Sequence, residues 1–377
     1  MTAVPVRLSE LLRTAQVLPM SDPGADPEIR GIRVDSRQVS AGDLFCALRG
    51  AHVDATTFVP DAVGRGAVAV LSESRRPDGL PNGIAWVRVE TPREWVGPIA
   101  REVFGRPDAS MVLVGITGTN GKTTVGWMVE AIARAAGTAA GRIGTIDVAW
   151  AGVVRPAIRT TPEAPELYGL LDEMRDAGTR LVAMAVWSHA LELGRVVWMR
   201  FSFAAFLFIG RDHLDFHGDP ERYFDAKARL FERLGPDDRA VVPDDDRGRA
   251  LAARSAATFT TFGRGERADI RITDEHCDGN GGTATLVHGD VRVPVRTRLL
   301  GRFQLDNAAA AAGCAIAAGI PPEAITAGLE ALDRVPGRTD PVLAGQPFGV
   351  WIDSVSYTHL RAHETVTLIA YAVFCVK

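Results

Sequence analysis

Hydrophobic and polar residues alternate along the middle of the chain in a pattern that changes repeatedly between strand and helix. Met111–Ile116 and Arg180–Val186 are short, largely apolar runs that predict buried strands. The segments between such runs have helical periodicity, so we expect an α/β fold with a mostly parallel sheet. Thr283–Val287 and Val291–Val295 predict a hairpin. Because proline cannot donate to a ladder, Pro294 predicts that its strand lies at a sheet edge.

Changes in this pattern predict the domain boundaries. Residues 1–105 predict a small α/β domain, and Gly105–Asp108 is the expected linker to a central domain over residues 106–335. Residues 336–353 predict the start of a third domain. Residues 354–377 do not continue the rhythm and end on an apolar run without an expected partner, so we interpret them as a non-native tail.

Composition narrows the class of protein. The 377 residues suffice for about two or three domains, and 46% hydrophobic residues suit a sizeable core. The formal net charge of -4 gives no basic footprint for a nucleic-acid partner. The cysteines are scattered, the N-terminus lacks a signal-peptide pattern, and no apolar run reaches the roughly 18 residues of a membrane span. We expect a soluble cytoplasmic protein with neither nucleic acid nor membrane as a partner.

The segment Gly118–Thr124 lies between a predicted strand and a predicted amphipathic helix, Val125–Ala136. Strand, glycine turn and helix N-terminus together suit a nucleotide phosphate, because glycines admit close approach and the helix offers free N–H groups. Lys122 adds a point charge, and Thr123 offers a hydroxyl to a magnesium ion. The spacing is a short form, Gly-Thr-x-Gly-Lys-Thr, since Ile116 stands where the usual P-loop has its first glycine.

A second polar segment, Arg211–His217, follows the strand predicted over Phe201–Ile209. The carboxyl end of a strand is where α/β sheets keep their sites, so His213 and nearby carboxylates can hold a hard cation or orient a phosphate. The segment can equally be a polar loop that caps the next helix. Lys227 lies on that helix, where a lysine is usually a solvated surface residue.

Three further turns have two interpretations each. Thr160 and Thr161 are expected to cap the helix Ala164–Ala177, and their hydroxyls also suit a phosphate or a sugar. Asp35–Arg37 fits either an anionic ligand or a plain turn. Val335–Arg338 fits either a hinge that carries a cation or a plain turn. The residues alone leave these alternatives open.

Taken together, these segments resemble the Mur ligase family, and within it the MurE type, UDP-N-acetylmuramoyl-L-alanyl-D-glutamate ligase. Each motif is weak or moderate by itself, whereas the ordered set is specific. The segments that carry the resemblance are Val34–Arg37, Gly42–Phe45, Gly118–Thr124, Thr160–Glu163, Ser188–Leu191, Arg211–Gly218, Tyr223–Lys227, Asn307 and Val335–Arg338.

The resemblance implies a UDP-muramyl substrate domain in residues 1–105, an ATP-binding domain in residues 106–335 and a third domain for the incoming amino acid. It implies ATP-dependent addition of a diamino acid, diaminopimelate or lysine, to UDP-N-acetylmuramoyl-L-alanyl-D-glutamate in peptidoglycan synthesis. The implied route passes through an acyl phosphate, because a carboxylate is a poor acyl donor. The protein's task is then positioning and charge neutralisation.

The resemblance also implies roles for individual residues. Lys122 would hold the β- and γ-phosphates of ATP, Thr123 the first Mg²⁺, and His213 with a carbamylated Lys227 a second Mg²⁺. The implied ATP-binding residues are Gly118, Thr119, Asn120, Gly121, Lys122, Thr123, Thr124, Asn307 at the adenine, Arg338 and Asp353. The implied residues for the UDP-muramyl dipeptide are Ser36, Thr160, Thr161, Ser188 and Arg195.

The chain departs from the family pattern beside these residues. Where the family has Glu-Val-Ser-Ser-His, this chain has Ala185-Val186-Trp187-Ser188-His189, so a carboxylate ligand of the first Mg²⁺ and a substrate-binding serine are missing. Where the family has Thr-Asn, the chain has Leu207-Phe208. Because loss of a metal ligand removes transition-state stabilisation, we expect severely reduced ligase activity.

After Asp353 the family continues Asp-Tyr-Ala-His-Thr-Pro, whereas this chain continues with Ser354–Arg361. The tail resembles translated vector or adaptor sequence, which favours the interpretation of an incompletely recorded ligase. A relative that has lost catalysis and only binds nucleotide or UDP-sugar is the alternative. A folylpolyglutamate or cyanophycin synthetase is a third interpretation, disfavoured by Asp35–Arg37 and Thr160–Glu163.

Overall fold

The computed structural model describes residues 4–50, 54–342, 349–354 and 371–376. The chain divides into two compact units. The first comprises Met1–Met111, Pro162–Gly178 and Ala190–Arg200, and the second comprises Val112–Thr161, Thr179–His189 and Phe201–Lys377.

Helices and strands are numbered separately in chain order. The helices α1 to α11 are Leu8–Thr14, Val59–Gly64, Pro92–Val103, Lys122–Ala135, Ala164–Asp176, Ser188–Glu192, Leu214–His217, Pro220–Glu232, Asp246–Ala252, Phe303–Ala317 and Pro322–Glu330. The strands β1 to β20 are Val6–Arg7, Glu28–Ile29, Gly31–Arg33, Asp43–Cys46, Ala69–Ser72, Ala85–Arg88, Val112–Thr117, Ala140–Ile143, Asp147–Trp150, Val153–Pro156, Leu181–Ala185, Phe203–Phe206, Arg239–Pro243, Thr258–Gly263, Ile270–Asp278, Gly281–His288, Val291–Thr297, Asp340–Pro341, Gly349–Ser354 and Tyr371–Val376.

The first unit is built on a parallel sheet in the order β3-β4-β5-β6. Phe45, Val70 and Trp86 on this sheet pack with Val59 of α2 in a buried cluster. The segment predicted as a linker leads into a short 3-10 helix, Pro107–Ala109. Its Asp108 is buried and accepts hydrogen bonds from Nε of Arg101 at 3.0 and 2.9 Å, so the end of this segment is packed.

The second unit is built on a sheet in the order β10-β9-β8-β11-β7-β12-β13-β14-β15-β16-β17. Neighbours from β8 to β15 are parallel, and the strands outside them are antiparallel. The predicted α/β fold with a mostly parallel sheet is therefore confirmed. Ala308–Ala312 of α10 are fully buried. A Cβ on the next residue, Gly313, would lie 2.7 Å from Cγ1 of Val241, so helix and sheet approach closely.

The predicted hairpin is present as β16 and β17, which pair antiparallel through His288 and Val291. β17 is the last strand in the sheet order, and Pro294 pairs there with Thr285. The prediction that Pro294 lies on an edge strand is confirmed. The missing N–H of proline removes no ladder hydrogen bond on the outer side of β17, because β17 ends the sheet among the residues that the structure describes.

Two predictions about local structure were wrong. Helix α5 begins at Ala164 with Glu163 as its N-cap residue, so neither Thr160 nor Thr161 caps it. The final apolar run was expected to lack a partner, but β20 pairs antiparallel with β19. Residues 355–370 of the predicted tail lie outside the described residues. The domain boundaries and the foreign origin of the tail stay predictions.

Across the described ranges, none of the helices combines the length and the apolarity that crossing a bilayer requires.

Candidate functional site

The loop after β7, Gly118–Thr124, has the geometry of a phosphate-binding turn; we call it the phosphate loop. β7 ends at Thr117 and α4 begins at Lys122, so the first N–H groups of α4 have no carbonyl of their own helix to bind. Gly121 has a φ of 87°, and a Cβ there would lie 2.4 Å from Oδ1 of Asn307. The turn therefore needs glycine for both its conformation and its packing.

Two lysines converge on one carbonyl of the phosphate loop. Lys122 Nζ donates to the Gly118 oxygen at 2.8 Å and to the Thr119 oxygen at 2.9 Å. Lys227 Nζ donates to the same Gly118 oxygen at 3.1 Å and lies 4.3 Å from the centre of the Tyr223 ring. The Lys227 side chain is fully buried, so its interpretation as a solvated surface lysine is wrong.

Burial weakens the proton affinity of both lysines. Burial and the guanidinium of Arg338 lower the pKa of Lys122 to about 8, and Asp212 opposes this effect. Burial, followed by the charge of Lys122, lowers the pKa of Lys227 well below its usual range. A negatively charged ligand at the phosphate loop would reverse these shifts, because it favours the charged form of each amine.

Residues from the C-terminal part of the described chain reach the first turn of α4. Arg338 Nη2 donates to the Thr123 hydroxyl at 3.2 Å, and that hydroxyl lies 3.5 Å from Oγ1 of Thr145. Asp353 accepts a hydrogen bond from the backbone N–H of Thr339 at 3.1 Å. Asp353 thus fixes the backbone next to Arg338, and Arg338 points a cation at the phosphate loop.

The remaining residues of the phosphate loop are held by neighbouring elements. Thr119 N donates to the Phe208 oxygen at 2.7 Å, and Asn120 forms an antiparallel bridge with Phe208. The side chain of Thr124 is buried. Asn307 is also buried, and its Nδ2 donates to Oε1 of Gln304 at 2.8 Å. The structure therefore places Asn307 and Arg338 against the phosphate loop, and Asp353 contacts the backbone beside Arg338.

His213 lies in a cluster of aromatic rings. Trp187 Nε1 donates to Nε2 of His213 at 3.1 Å, and Asp212 Oδ2 lies farther from that nitrogen, at 3.4 Å. The rings of Trp187 and Phe216 both stack on the ring of His189, with centroid distances of 4.1 and 4.0 Å. Burial is the main cause that lowers the pKa of His213; Asp212 opposes it, and the charges of Lys227 and Lys122 add to it.

The hydroxyls of Ser188 and Thr161 form hydrogen bonds within the second unit. The Ser188 hydroxyl lies 3.0 Å from Nε2 of His217, and both side chains are buried. Thr161 Oγ1 donates to the Ala185 oxygen at 2.9 Å and accepts from Trp187 N at 3.0 Å. Thr160 is half-buried. The hydroxyls of Ser188 and Thr161 therefore fix the chain that follows β11.

Ser36 and Arg195 belong to the first unit. Ser36 is buried at the start of a 3-10 turn, and its hydroxyl helps to lower the pKa of Asp61. Arg195 Nε lies 2.9 Å from Oε1 of Glu163, and Arg93 lies 3.7 Å from the other oxygen of the same carboxylate.

Sequence reasoning missed a buried charge network beside the phosphate loop. Arg142 donates to both oxygens of Asp147 at 2.8 and 2.7 Å, and it also contacts Glu130. Its guanidinium lies 3.7 Å from the centre of the Trp127 ring. Arg142, Asp147 and Ala185 line one small cavity together with Lys122 and Thr123. Glu130 lies on the helix that was predicted as amphipathic, and the sequence did not indicate that this acid is buried and therefore needs a partner.

The side chains do not fit the magnesium ions that the resemblance implies. Ala185 has no ligand atom, the Thr123 hydroxyl accepts from Arg338, and His213 accepts from Trp187. Within residues 4–50, 54–342, 349–354 and 371–376, no three His, Cys, Asp or Glu side chains are grouped so that they could hold a metal ion. The phosphate loop itself does fit a nucleotide phosphate, because the start of α4 offers backbone N–H groups and Lys122 offers an ammonium group.

Comparison with known proteins identifies the family to which this site belongs. The pattern of the Mur ligase middle domain matches residues 116–315, and that of the Mur ligase family catalytic domain matches residues 28–103. The chain belongs to the Mur ligase family. A UDP-N-acetylmuramoyl-L-alanyl-D-glutamate--2,6-diaminopimelate ligase of Solibacter usitatus is 40% identical over 358 residues, which cover 94% of this chain and 72% of that protein.

Two further relatives of this Mur ligase have the same name. The protein of Geobacter metallireducens is 39% identical over 363 residues, covering 94% of this chain and 70% of that one. A solved structure of a UDP-N-acetylmuramoyl-L-alanyl-D-glutamate--2,6-diaminopimelate ligase matches with a TM-score of 0.78 at 26% identity, covering 90% of this chain and 69% of that one. The chain is thus an ATP-dependent ligase of the MurE type by homology, and that prediction is confirmed.

Proposed function

We propose that the reaction of this Mur ligase is the ATP-dependent addition of a diamino acid to UDP-N-acetylmuramoyl-L-alanyl-D-glutamate through an acyl phosphate. The observation that carries the proposal is the convergence of Lys122, Lys227 and Arg338 on one phosphate loop. The names of the relatives favour diaminopimelate over lysine as the added residue. The reaction belongs to peptidoglycan synthesis in the cytoplasm.

The residues of the phosphate loop are proposed to bind ATP by charge and by backbone N–H groups. Lys122 and Arg338 supply cations, and the N-terminus of α4 supplies N–H groups toward the phosphates. Asn307 lies against Gly121, within reach of a nucleotide bound there, and we propose that its amide meets the adenine. ATP supplies the phosphate that turns the substrate carboxylate into an acyl donor.

The remaining assignments concern the UDP-muramyl dipeptide and Mg²⁺. Ser36, Thr160, Thr161, Ser188 and Arg195 are the residues that the resemblance assigns to the UDP-muramyl dipeptide. Since Ser188 and Thr161 have intramolecular partners, direct contact with a ligand would require these hydroxyls to change partner. Mg²⁺ would have to be held by Thr123, His213 and Lys227, and their present contacts do not fit it. A lysine of lowered pKa does suit carbamylation, because the neutral amine is the reactive form.

We also propose that this chain has severely reduced turnover. Ala185 lines a small cavity where the family pattern has the glutamate side chain. The indole N–H of Trp187 donates a hydrogen bond to Nε2 of His213. The second candidate function, nucleotide binding without catalysis, is favoured by the same two residues.

The test is incubation of the chain with UDP-muramyl dipeptide, ATP and diaminopimelate or lysine. We expect ADP to bind while phosphate release and tripeptide formation, followed by mass spectrometry, stay far below those of a full-length relative. Lys122→Met should abolish ADP binding, and the control Arg292→Met, at an exposed cation on β17, should not. Product formation at the relative's rate would refute the proposed loss of activity. Failure to bind any nucleotide would refute the proposed site.

A further inference from the structure

We propose that the phosphate loop of this chain binds the diphosphate or triphosphate of a nucleotide as the free polyanion, with no divalent cation between protein and phosphate. This inference rests on the nucleotide binding proposed above and goes beyond it by naming the form of the ligand. It is carried by the contacts of each group that surrounds the loop. Around the loop lie cations, together with oxygen and nitrogen atoms that already accept a hydrogen bond.

The Thr123 hydroxyl faces a cation. Its oxygen accepts a hydrogen bond from Arg338 Nη2 at 3.2 Å, and the Thr123 side chain is buried. A divalent ion bound to this oxygen would lie next to a guanidinium that keeps its charge at any physiological pH. Phosphate oxygens at the same place would instead gain a charge-assisted hydrogen bond from Arg338.

Neither ring nitrogen of His213 has a lone pair available for a metal ion. An indole N–H can only donate, so Nε2 of His213 is the acceptor in its 3.1 Å contact with Trp187. Nδ1 then carries the proton of the neutral ring, and neither nitrogen is left to ligate a metal ion. Trp187 is therefore a positioning residue that fixes the tautomer of His213.

The carboxylates near the phosphate loop also accept hydrogen bonds from the protein. Asp147 lines the cavity beside Ala185, and it receives two hydrogen bonds from Arg142 at 2.8 and 2.7 Å. Asp212 lies beside the two lysines, and its Oδ1 accepts from the backbone N–H of His213 at 2.9 Å. Ala185 ends β11 with a methyl group that is 2% exposed, so position 185 adds no negative charge.

The charge that a divalent ion normally supplies is present in the protein itself. Lys122 and Lys227 share the Gly118 carbonyl, and Arg338 reaches the first turn of the helix that follows. A nucleotide diphosphate would replace that carbonyl as the partner of the ammonium groups and would favour their charged form. Adding a divalent ion would place a further positive charge among these groups.

The first test measures the affinity of the whole chain for ADP by titration calorimetry, once with excess EDTA and once with excess Mg²⁺. We expect ADP to bind in EDTA and to bind no more tightly with Mg²⁺, because Mg²⁺ competes with the protein for free ADP. An affinity that rises by about tenfold or more with Mg²⁺ would overturn the inference while leaving nucleotide binding intact. No binding under either condition would overturn both this inference and the proposed nucleotide site.

A second test follows the metal directly. In a mixture of Mn²⁺ and ADP, the protein should raise the electron paramagnetic resonance signal of free Mn²⁺, because it withdraws ADP from the Mn²⁺ complex. A fall in that signal on adding protein would show a ternary complex and contradict the inference. This readout does not depend on any variant or on catalytic turnover.

A pair of variants then isolates charge from size at the cavity. Ala185→Glu adds a carboxylate beside Lys122 and Thr123, and Ala185→Gln adds a side chain of similar size without charge. We expect Ala185→Glu to weaken ADP binding in EDTA by about tenfold relative to Ala185→Gln, and Mg²⁺ to restore much of it. Equal affinities of the two variants in EDTA would contradict the electrostatic basis of the inference.

Discussion

The indole N–H of Trp187 donates to Nε2 of His213 across a distance of 3.1 Å, between the end of β11 and the turn before α7. Such a donor stabilises the neutral imidazole and therefore opposes its protonation. The pKa of His213 is already lowered, chiefly by burial. Trp187 thus acts on the histidine to which the resemblance assigns the role of a Mg²⁺ ligand.

Replacing Trp187 by phenylalanine should raise the pKa of His213. Trp187→Phe keeps a ring in the aromatic stack and removes the N–H donor, so protonation of Nε2 no longer breaks a hydrogen bond. We expect the pKa of His213 to rise, as measured by NMR titration of the imidazole. The control is Trp198→Phe, whose indole donates to the Glu94 carbonyl in the first unit. An unchanged or lower pKa of His213 would contradict the prediction.

The buried pair Ser188 and His217 should stabilise the second unit. Ser188→Ala leaves Nε2 of His217 without its hydroxyl partner in a buried place, which should cost about 1–2 kcal/mol of unfolding free energy. Urea denaturation measures the change. A cycle with His217→Phe separates the pair from the general effect of each substitution, and a coupling energy near zero would show that the contact contributes nothing.

Much of the fold could be predicted because hydrophobic periodicity and turn residues act locally. The strand of Met111–Ile116, the phosphate loop and the edge position of Pro294 all depend on neighbours in sequence. Helix α5 was placed correctly but its cap was not, because two threonines before a proline are a strong cap signal by themselves. In the fold, the Thr161 hydroxyl bonds to Ala185 and Trp187 instead.

The parts of the site that escaped prediction depend on long-range contacts. Lys227 sits on an amphipathic helix like any surface lysine, and only the packing of α8 against the phosphate loop makes it buried. The contact of Arg338 with Thr123 joins residues that are far apart in the chain. Sequence spacing does not report such distances, whereas the family resemblance identified these positions without their contacts.

Gly121 should be irreplaceable for two separate reasons. Gly121→Ala strains a backbone of positive φ and places a Cβ 2.4 Å from Oδ1 of Asn307. We expect a loss of at least about 2 kcal/mol in unfolding free energy together with loss of ADP binding. Gly137→Ala is the matched control, since Gly137 follows the other end of α4 with a φ of 74° and has open space around it.

The control isolates backbone strain from collision. Gly137→Ala should cost only about 1 kcal/mol and leave ADP affinity unchanged. Equal destabilisation by the two substitutions would show that Asn307 yields to the added methyl group and that its packing against Gly121 is not specific.

The ion network of Glu275 should make stability depend on acid pH. Glu275 accepts hydrogen bonds from Arg302 and from Arg264, the latter at 2.8 and 2.9 Å, and these lower its pKa to about 2. Because the folded state binds the proton less tightly than the unfolded state, the stabilisation is complete above the ordinary glutamate pKa and is lost as pH falls toward 2. Glu275→Gln should therefore lower the unfolding free energy by about 1 kcal/mol at neutral pH, after allowance for solvent screening, and by progressively less in acid.

Urea denaturation at several pH values measures the pH dependence of the Glu275→Gln effect. The control is Glu330→Gln, which changes an exposed acid on α11. A cost that stays constant down to the lowest pH would show that the contribution of Glu275 is packing and not charge.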